Sequence, residues 1–182
     1  MIFEEQELPG VYLIKGEPFK DDRGAFRRNY CQREFESAGI ASKIAQCNIS
    51  ENFKKDTLRG FHYQLPPYGE AKTLTPYLGA FYDIVVDLRE DSPTFMQWQA
   101  FELIPESRTS LHVPVGCANA FYTLKDNSVI HYYSSEFYHP ESERGIRWND
   151  PNFGFKWPSN PEFISEKDDN WDDFNQELNA VR

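Results

Sequence analysis

The chain has 182 residues, a formal net charge of −10 and 16% aromatic residues. That length suits one domain, residues 1–182, with a core of its own. The acidic balance excludes a nucleic-acid binder, which needs a basic face toward phosphate. No apolar run approaches the roughly 18 to 20 residues that cross a bilayer, so no membrane partner is expected.

The opening Met1-Ile2-Phe3-Glu4-Glu5 lacks the basic and apolar regions of a secretory signal, and a cytoplasmic protein is expected. From there short apolar and aromatic runs alternate with Pro, Gly, Asp and Asn. This is the pattern of an all-β sandwich or barrel. Strands are predicted over 10–15, 24–30, 44–50, 59–63, 72–75, 80–87, 97–104, 110–113, 120–123 and 129–134, with breakers such as Leu65-Pro66-Pro67 between them. One helix is predicted over 32–38, ending at Gly39, and a second after Ser165. Ser165 can cap that second helix, and Asp168 stands three positions on as in a capping box. Trp171, Phe174 and Leu178 would form its apolar stripe. Asp168 therefore reads first as a helix-start carboxylate.

The run Leu58-Arg59-Gly60-Phe61-His62-Tyr63-Gln64, with Lys72 close behind, gathers arginine, histidine and lysine in an acidic chain. Such a cluster points to an anionic small molecule and a proton moved on it. Period two puts Gly60, His62 and Gln64 on one face and Arg59, Phe61 and Tyr63 on the other. Arg59 joins His62 only if Gly60 introduces a bulge. On the strand over 129–134, one tyrosine of the pair Tyr132-Tyr133 must face inward. Taken alone, a strand histidine reads as a hydrogen-bonded structural residue and a strand tyrosine as core. Metal dependence is not expected, because His62 is followed by Gln64, and His112, His131 and His139 are scattered. Cys31, Cys47 and Cys117 show no disulfide or zinc spacing, and none is expected beside a histidine as a nucleophile. No Gly-x-Ser-x-Gly, Gly-x-Gly-x-x-Gly or Walker run occurs, which argues against hydrolysis by a serine elbow and against dinucleotide chemistry. Cofactor-free acid–base chemistry remains: histidine as base, tyrosine as acid, lysine and arginine supplying positive charge.

The chain resembles the dTDP-4-dehydrorhamnose 3,5-epimerase family over nearly its whole length. The resemblance rests on Asp22-Arg23-Gly24-Ala25-Phe26, Gln46-Cys47-Asn48-Ile49-Ser50, the Leu58–Gln64 run, Val86-Asp87-Leu88-Arg89 and Ser92-Pro93-Thr94-Phe95. It continues through Val113-Pro114-Val115-Gly116, Trp148-Asn149-Asp150-Pro151, Trp157-Pro158 and Ser165-Glu166-Lys167-Asp168. It implies a metal-free cupin, a jelly-roll β-sandwich or barrel with short peripheral helices. It also implies an isomerase that epimerises a nucleoside-diphosphate-linked 4-keto-6-deoxy sugar for deoxysugar, O-antigen or other surface-polysaccharide synthesis. By the resemblance His62 is the base, Asp168 the carboxylate paired with it, and Lys72 the cation beside the keto oxygen. Tyr132, thirteen residues beyond Asn119, is the acid on the opposite face. Arg23, Phe26, Gln46, Asn48, Arg59, Tyr138, Glu143 and Lys167 fall on positions lining the nucleotide or sugar pocket.

Two positions depart from the family pattern. Ala118-Asn119-Ala120-Phe121 stands where Ala-His-Gly-Phe is usual, and Arg28 stands where a glutamate is usual. An amide cannot take a proton. Both positions bear on the substrate, and the expectation is an epimerase acting at C3 alone or also at C5, on a dTDP-, CDP- or GDP-linked sugar. The alternatives are a sugar-nucleotide 3,4-ketoisomerase and a non-catalytic sugar-nucleotide-binding cupin. A homodimer is expected from the resemblance, with an amino-terminal strand exchanged between subunits.

Overall fold

Strands dominate, as short apolar runs bounded by turn residues require. The computed structural model describes residues 1–40 and 42–182. In chain order the elements are β1 (Ile2–Glu5), β2 (Tyr12–Lys15), β3 (Phe19–Asp21), β4 (Gly24–Phe26), α1 (Gln32–Ser37), β5 (Gln46–Asn52) and β6 (Leu58–Gln64). They continue as β7 (Lys72–Leu78), β8 (Phe81–Asp87), β9 (Trp98–Leu103), β10 (Thr109–Val113), β11 (Cys117–Thr123), β12 (Ser128–Ser134) and β13 (Glu143–Gly145). Two further helices, α2 (Glu166–Asp169) and α3 (Gln176–Asn179), end the chain, and a single 3₁₀ turn lies at Pro105–Ser107.

The strands form a six-stranded sheet, β1-β2-β10-β7-β12-β5, a five-stranded sheet, β13-β6-β11-β8-β9, and the separate hairpin β3-β4. All named pairings are antiparallel. This is the cupin jelly-roll sandwich. Alternation along the strands sends Leu74, Leu111 and Ile130 of the larger sheet against Phe81, Val85 and Phe121 of the smaller one. Each such side chain contributes about 1.5–3 kcal/mol by leaving water. The outer face of the smaller sheet carries Phe61, Tyr63, Ile84 and Val86, and the segment after β13 covers it. Phe155 stacks on Phe61 with ring centroids 4.4 Å apart. On the outer face of the larger sheet, Ile14 packs with Phe35 of α1 and Ile40.

Several boundaries move for physical reasons. Strand β7 runs on through Pro76 to Leu78, because the proline sits where the register with β12 slips between Val129 and Ile130. Strand β4 stops at Phe26, since β3 and β4 pair only with each other and nothing extends the ladder. The single helix expected after Ser165 is two short ones, and its stripe does not form: Leu178 is 68% exposed. Asp150 Oδ2 accepts from Phe174 N at 2.6 Å and Phe174 packs on Phe153, so tertiary contacts hold the chain extended between α2 and α3. Strands β1, β3 and β13, three or four residues long, are not among those expected from the sequence pattern.

The bulge conditional on Gly60 is present. His62 pairs with Asn119 and Arg59 with Phe121, so three residues on β6 span the same distance as two on β11. Arg59 and His62 therefore share the inward face. Gly60 adopts φ +115°, and a Cβ there would stand 2.6 Å from the Asn119 carbonyl oxygen and 2.7 Å from Ala120 Cα. A Gly60→Ala protein is expected to lose about 3 kcal/mol of stability, seen as a Tm about 6–12 °C lower. An unchanged melt would show that β6 carries no such constraint.

Candidate active site

The inner layer is apolar at one end and opens at the other into a cavity of about 540 Å³. Strand β6 sends His62 and Arg59 into it, β7 sends Lys72, β11 sends Asn119, β12 sends Tyr132, and α2 sends Asp168. A second recess of about 260 Å³ shares His62, Lys72 and Tyr132 with the first and adds Gln46, Asn48, Tyr138 and Glu143. His62 and Tyr132 come from opposite sheets and face one space. Tyr133, the other member of the pair, faces outward and meets Asn29.

His62 Nε2 lies 2.6 Å from Asp168 Oδ1, while Asp168 Oδ2 accepts from the Gly60 amide at 3.2 Å. Ser165 does cap α2, its hydroxyl accepting from Asp168 N at 3.1 Å. The Asp168 side chain does not reach back to complete a capping box; it turns inward to the imidazole, and it is buried. Burial pushes this carboxyl up, but the hydrogen bonds from His62 and Gly60 and the imidazole charge outweigh it and hold Asp168 below the usual carboxylate range. A depressed folded value contributes stability above the unfolded value near pH 4, lost as pH falls through the folded one. Melting curves are therefore expected to drop between about pH 5 and pH 3, and more steeply in the wild type than in Asp168→Asn. Parallel curves for the two proteins would deny Asp168 that part.

Lys72 Nζ donates to the His62 backbone carbonyl at 3.2 Å and pairs with Glu70 at 2.9 Å, so its ammonium is held at the backbone of β6 in the cavity that His62 lines. Arg59 Nε donates to Asn52 Oδ1 at 2.8 Å. Behind the cavity wall Asn119 Nδ2 lies 3.2 and 3.4 Å from the two oxygens of Asp83. Lys167 binds both Glu143 oxygens at 2.6 Å, and Tyr138 donates to the same carboxylate at 2.7 Å, which closes one side of the second recess.

Arg23, Phe26 and Arg28 lie outside both recesses. Arg23 and Phe26 sit on the β3-β4 hairpin, where Arg23 pairs with Asp21 at 2.6 Å. Arg28 donates to Glu34 at 2.9 Å, near the amino terminus. Sequence reasoning did not single out Glu70, Asn52 or Asp83. Of these Asp83 alone carried a signal, as the one charged residue inside the apolar run Phe81-Tyr82-Asp83-Ile84-Val85-Val86.

The remaining histidines are occupied elsewhere. His112 is buried against Thr73, its Nδ1 2.9 Å from the hydroxyl, and burial pushes it down to about 4. His139 stacks on Tyr68. His131 lies on the outer sheet face 2.8 Å from Cys47 Sγ, a cysteine–histidine contact that the sequence did not announce, because the two are brought together only by the β5-β12 pairing. Among the described residues no three His, Cys, Asp or Glu side chains converge as metal ligands.

The family model for dTDP-4-dehydrorhamnose 3,5-epimerase matches residues 5–176. A dTDP-4-dehydrorhamnose 3,5-epimerase of Shigella flexneri is 37% identical over 92% of this chain and 93% of its own. The crystal structure of dTDP-4-dehydrorhamnose 3,5-epimerase from Elizabethkingia anophelis superposes with a TM-score of 0.93 at 34% identity, covering 99% of both chains. A 3′-monoepimerase from Streptomyces bikiniensis, solved in complex with dTDP-quinovose, gives a TM-score of 0.85 at 30% identity over 92% of this chain and 85% of that one. Sequence and fold agree along the whole molecule: the chain belongs to the dTDP-4-dehydrorhamnose 3,5-epimerase family, a family of isomerases.

Proposed function

We propose that the protein inverts C3 of a nucleoside-diphosphate-linked 4-keto-6-deoxy sugar through an enolate, with C5 as the second candidate centre. The observation that carries this reading is the placement of His62 and Tyr132 on opposite sheets about one cavity that Lys72 also lines. A ketone at C4 acidifies the neighbouring C–H bonds by delocalising the carbanion onto oxygen. Because Nε2 is engaged by Asp168, the free Nδ1 of neutral His62 takes the proton, and the carboxylate stabilises the imidazolium that forms. Lys72 offsets charge growing on the C4 oxygen, a donor typically contributing about 3 kcal/mol in a site shielded from water. Tyr132 returns a proton from the other face, and the configuration inverts. The combined recesses have the size of a small-molecule site, about 300–1,000 Å³, and Arg59 and Lys72 are the cations lining them, alongside the carboxylates Glu51, Glu70, Glu143 and Asp168.

The relatives named for dTDP sugars support a dTDP-linked substrate, used in deoxysugar synthesis for surface polysaccharides such as O-antigen. A cytoplasmic setting is supported by the sugar-nucleotide substrate; no helix among the described residues is long and apolar enough to cross a membrane. A homodimer reconciles the hairpin with the family's pocket positions: Phe26 is 72% exposed on β4, and with Arg23 it would complete the cavity of a second copy. The deciding experiment is proton NMR in deuterium oxide with dTDP-, CDP- and GDP-linked 4-keto-6-deoxy sugars. Deuterium entering C3 with inversion is expected, and entry at C5 as well would mark two centres. A migrated carbonyl would indicate a ketoisomerase, and no exchange with any of the three would overturn the enzymatic reading.

A further inference from the structure

Asp83 is a carboxyl with almost nothing to bind. It is 0% exposed, and on the inward face of β8 it lies between Phe81 and Val85. Its cross-strand partners are Phe121 on β11 and Phe101 on β9. Its hydrogen-bond contact is with Asn119 alone, at 3.2 and 3.4 Å. An ionised carboxylate draws donors to about 2.7–2.9 Å, as the buried Asp87 does with Arg89 at 2.8 Å. The charged or titratable side chains of the cavity, Lys72 on β7, His62 and Arg59 on β6, Tyr132 on β12, Glu51 on β5 and Asp168 on α2, make no hydrogen bond to Asp83. An isolated carboxylate in such a setting neutralises itself. Burial pushes Asp83 well above the usual carboxylate range, with Asn119 and the charge of Lys72 opposing only in part.

A protonated carboxyl has an O–H to donate, and left buried without an acceptor it costs about 1–3 kcal/mol. The Asn119 amide oxygen is the acceptor within reach. The two ends of an amide are equal in size, so a half-turn about Cβ–Cγ exchanges them at little steric cost. We propose that Asp83 carries a proton and thereby turns the Asn119 amide, so that Oδ1 accepts from Asp83 and Nδ2 donates into the cavity toward the C4 oxygen of a bound keto sugar. The ligand in this assignment rests on the epimerase reading; the state of the Asp83–Asn119 pair does not. Asn119 pairs directly with His62 across the β6-β11 ladder, and it lines the same cavity as His62 and Lys72. Asp83 is then a positioning residue, and an amide in this site supplies a neutral donor.

Carboxyl-carbon NMR of ¹³C-labelled, substrate-free protein tests the pair, with the Asp83 resonance identified by its loss in Asp83→Asn. A resonance fixed at the protonated position between about pH 5 and pH 8 is expected; one at the ionised position there overturns the proposal. Kinetics tests the donor. Asp83→Asn, whose NH₂ can still donate to Asn119 Oδ1, is expected to keep kcat within about threefold. Asp83→Leu and Asn119→Ala should each lose about tenfold or more in kcat with KM changed less than about threefold. Equal kcat in all three variants, or Asp83→Asn as impaired as Asp83→Leu, would overturn the donor role. Should the variants not fold, the wild-type carboxyl spectrum still decides the state of the pair, its resonance then assigned through the sequential backbone. A wrong epimerase reading shows separately, as absence of turnover by the wild type.

Discussion

A His62→Ala protein is expected to lose between about 10² and 10⁴ in kcat, the usual contribution of a general base, with KM changed only a few-fold. Deuterium wash-in from solvent should fall with it, since no proton leaves the sugar without a base. The size of the effect follows from the lack of a substitute. Among the described residues His62 is the one imidazole lining the cavity, and His112, His131 and His139 are committed to Thr73, Cys47 and Tyr68. Asp168, freed from its partner, still lines the cavity, but it is almost fully buried and its side chain stays tied to the Gly60 amide. The variant should fold, because His62 is half-buried and faces a cavity rather than packed core. Exchange continuing at more than about a tenth of the wild-type rate would remove His62 from the role of base.

Much of the sandwich was legible because its strands alternate cleanly between the interior and a covered outer face. On β6 even the departure was readable in conditional form. A glycine inside a strand marks a bulge, and only a bulge lets Arg59 join His62. Asp168 shows where the sequence is ambiguous in principle. A carboxylate three residues after a serine serves a helix start, and its backbone does so here, yet its side chain is free to turn 106 residues back along the chain to His62. Nothing local distinguishes those two uses. The failed stripe of Trp171, Phe174 and Leu178 has the opposite cause. The local pattern was helical, but the Asp150 carboxylate on Phe174 N and the aromatic contact with Phe153 outweigh a short helix with little nucleating strength.

Asp83 was the most readable signal left unread. Period two puts it on the buried face with Phe81 and Val85, where a charge must be paired or lost. The Cys47–His131 contact was unreadable by comparison, because strand order is a property of the whole topology and not of either segment. Arg23, Phe26 and Arg28 illustrate a different limit. The resemblance gives positions in a family's pocket, whereas one chain shows where its own hairpin stands. The exposed β4 leaves room for the two to be reconciled between copies.

Replacing Tyr132 by phenylalanine should separate the two halves of the reaction. Epimer formation is expected to fall by about 10²–10³, while solvent deuterium still enters C3 at no less than about a tenth of the wild-type rate. The separation follows from the architecture. The proposed base and acid stand on different sheets, so removing the phenol leaves His62, Asp168 and Lys72 in place to form the proposed enolate and to reprotonate it from the original side. Phenylalanine keeps the ring that packs against the apolar core, so loss of inversion would not reflect a collapsed wall. Tyr63 and Tyr138 also line the adjoining recess, but Tyr63 gives its hydroxyl to the Asn179 carbonyl at 2.7 Å, Tyr138 gives its own to Glu143 at 2.7 Å, and neither lines the larger cavity. Tyr138→Phe should therefore leave the ratio of inversion to exchange unchanged. If exchange and inversion fall together in Tyr132→Phe, or the ratio changes instead in Tyr138→Phe, the phenol on β12 is not the group that delivers the proton.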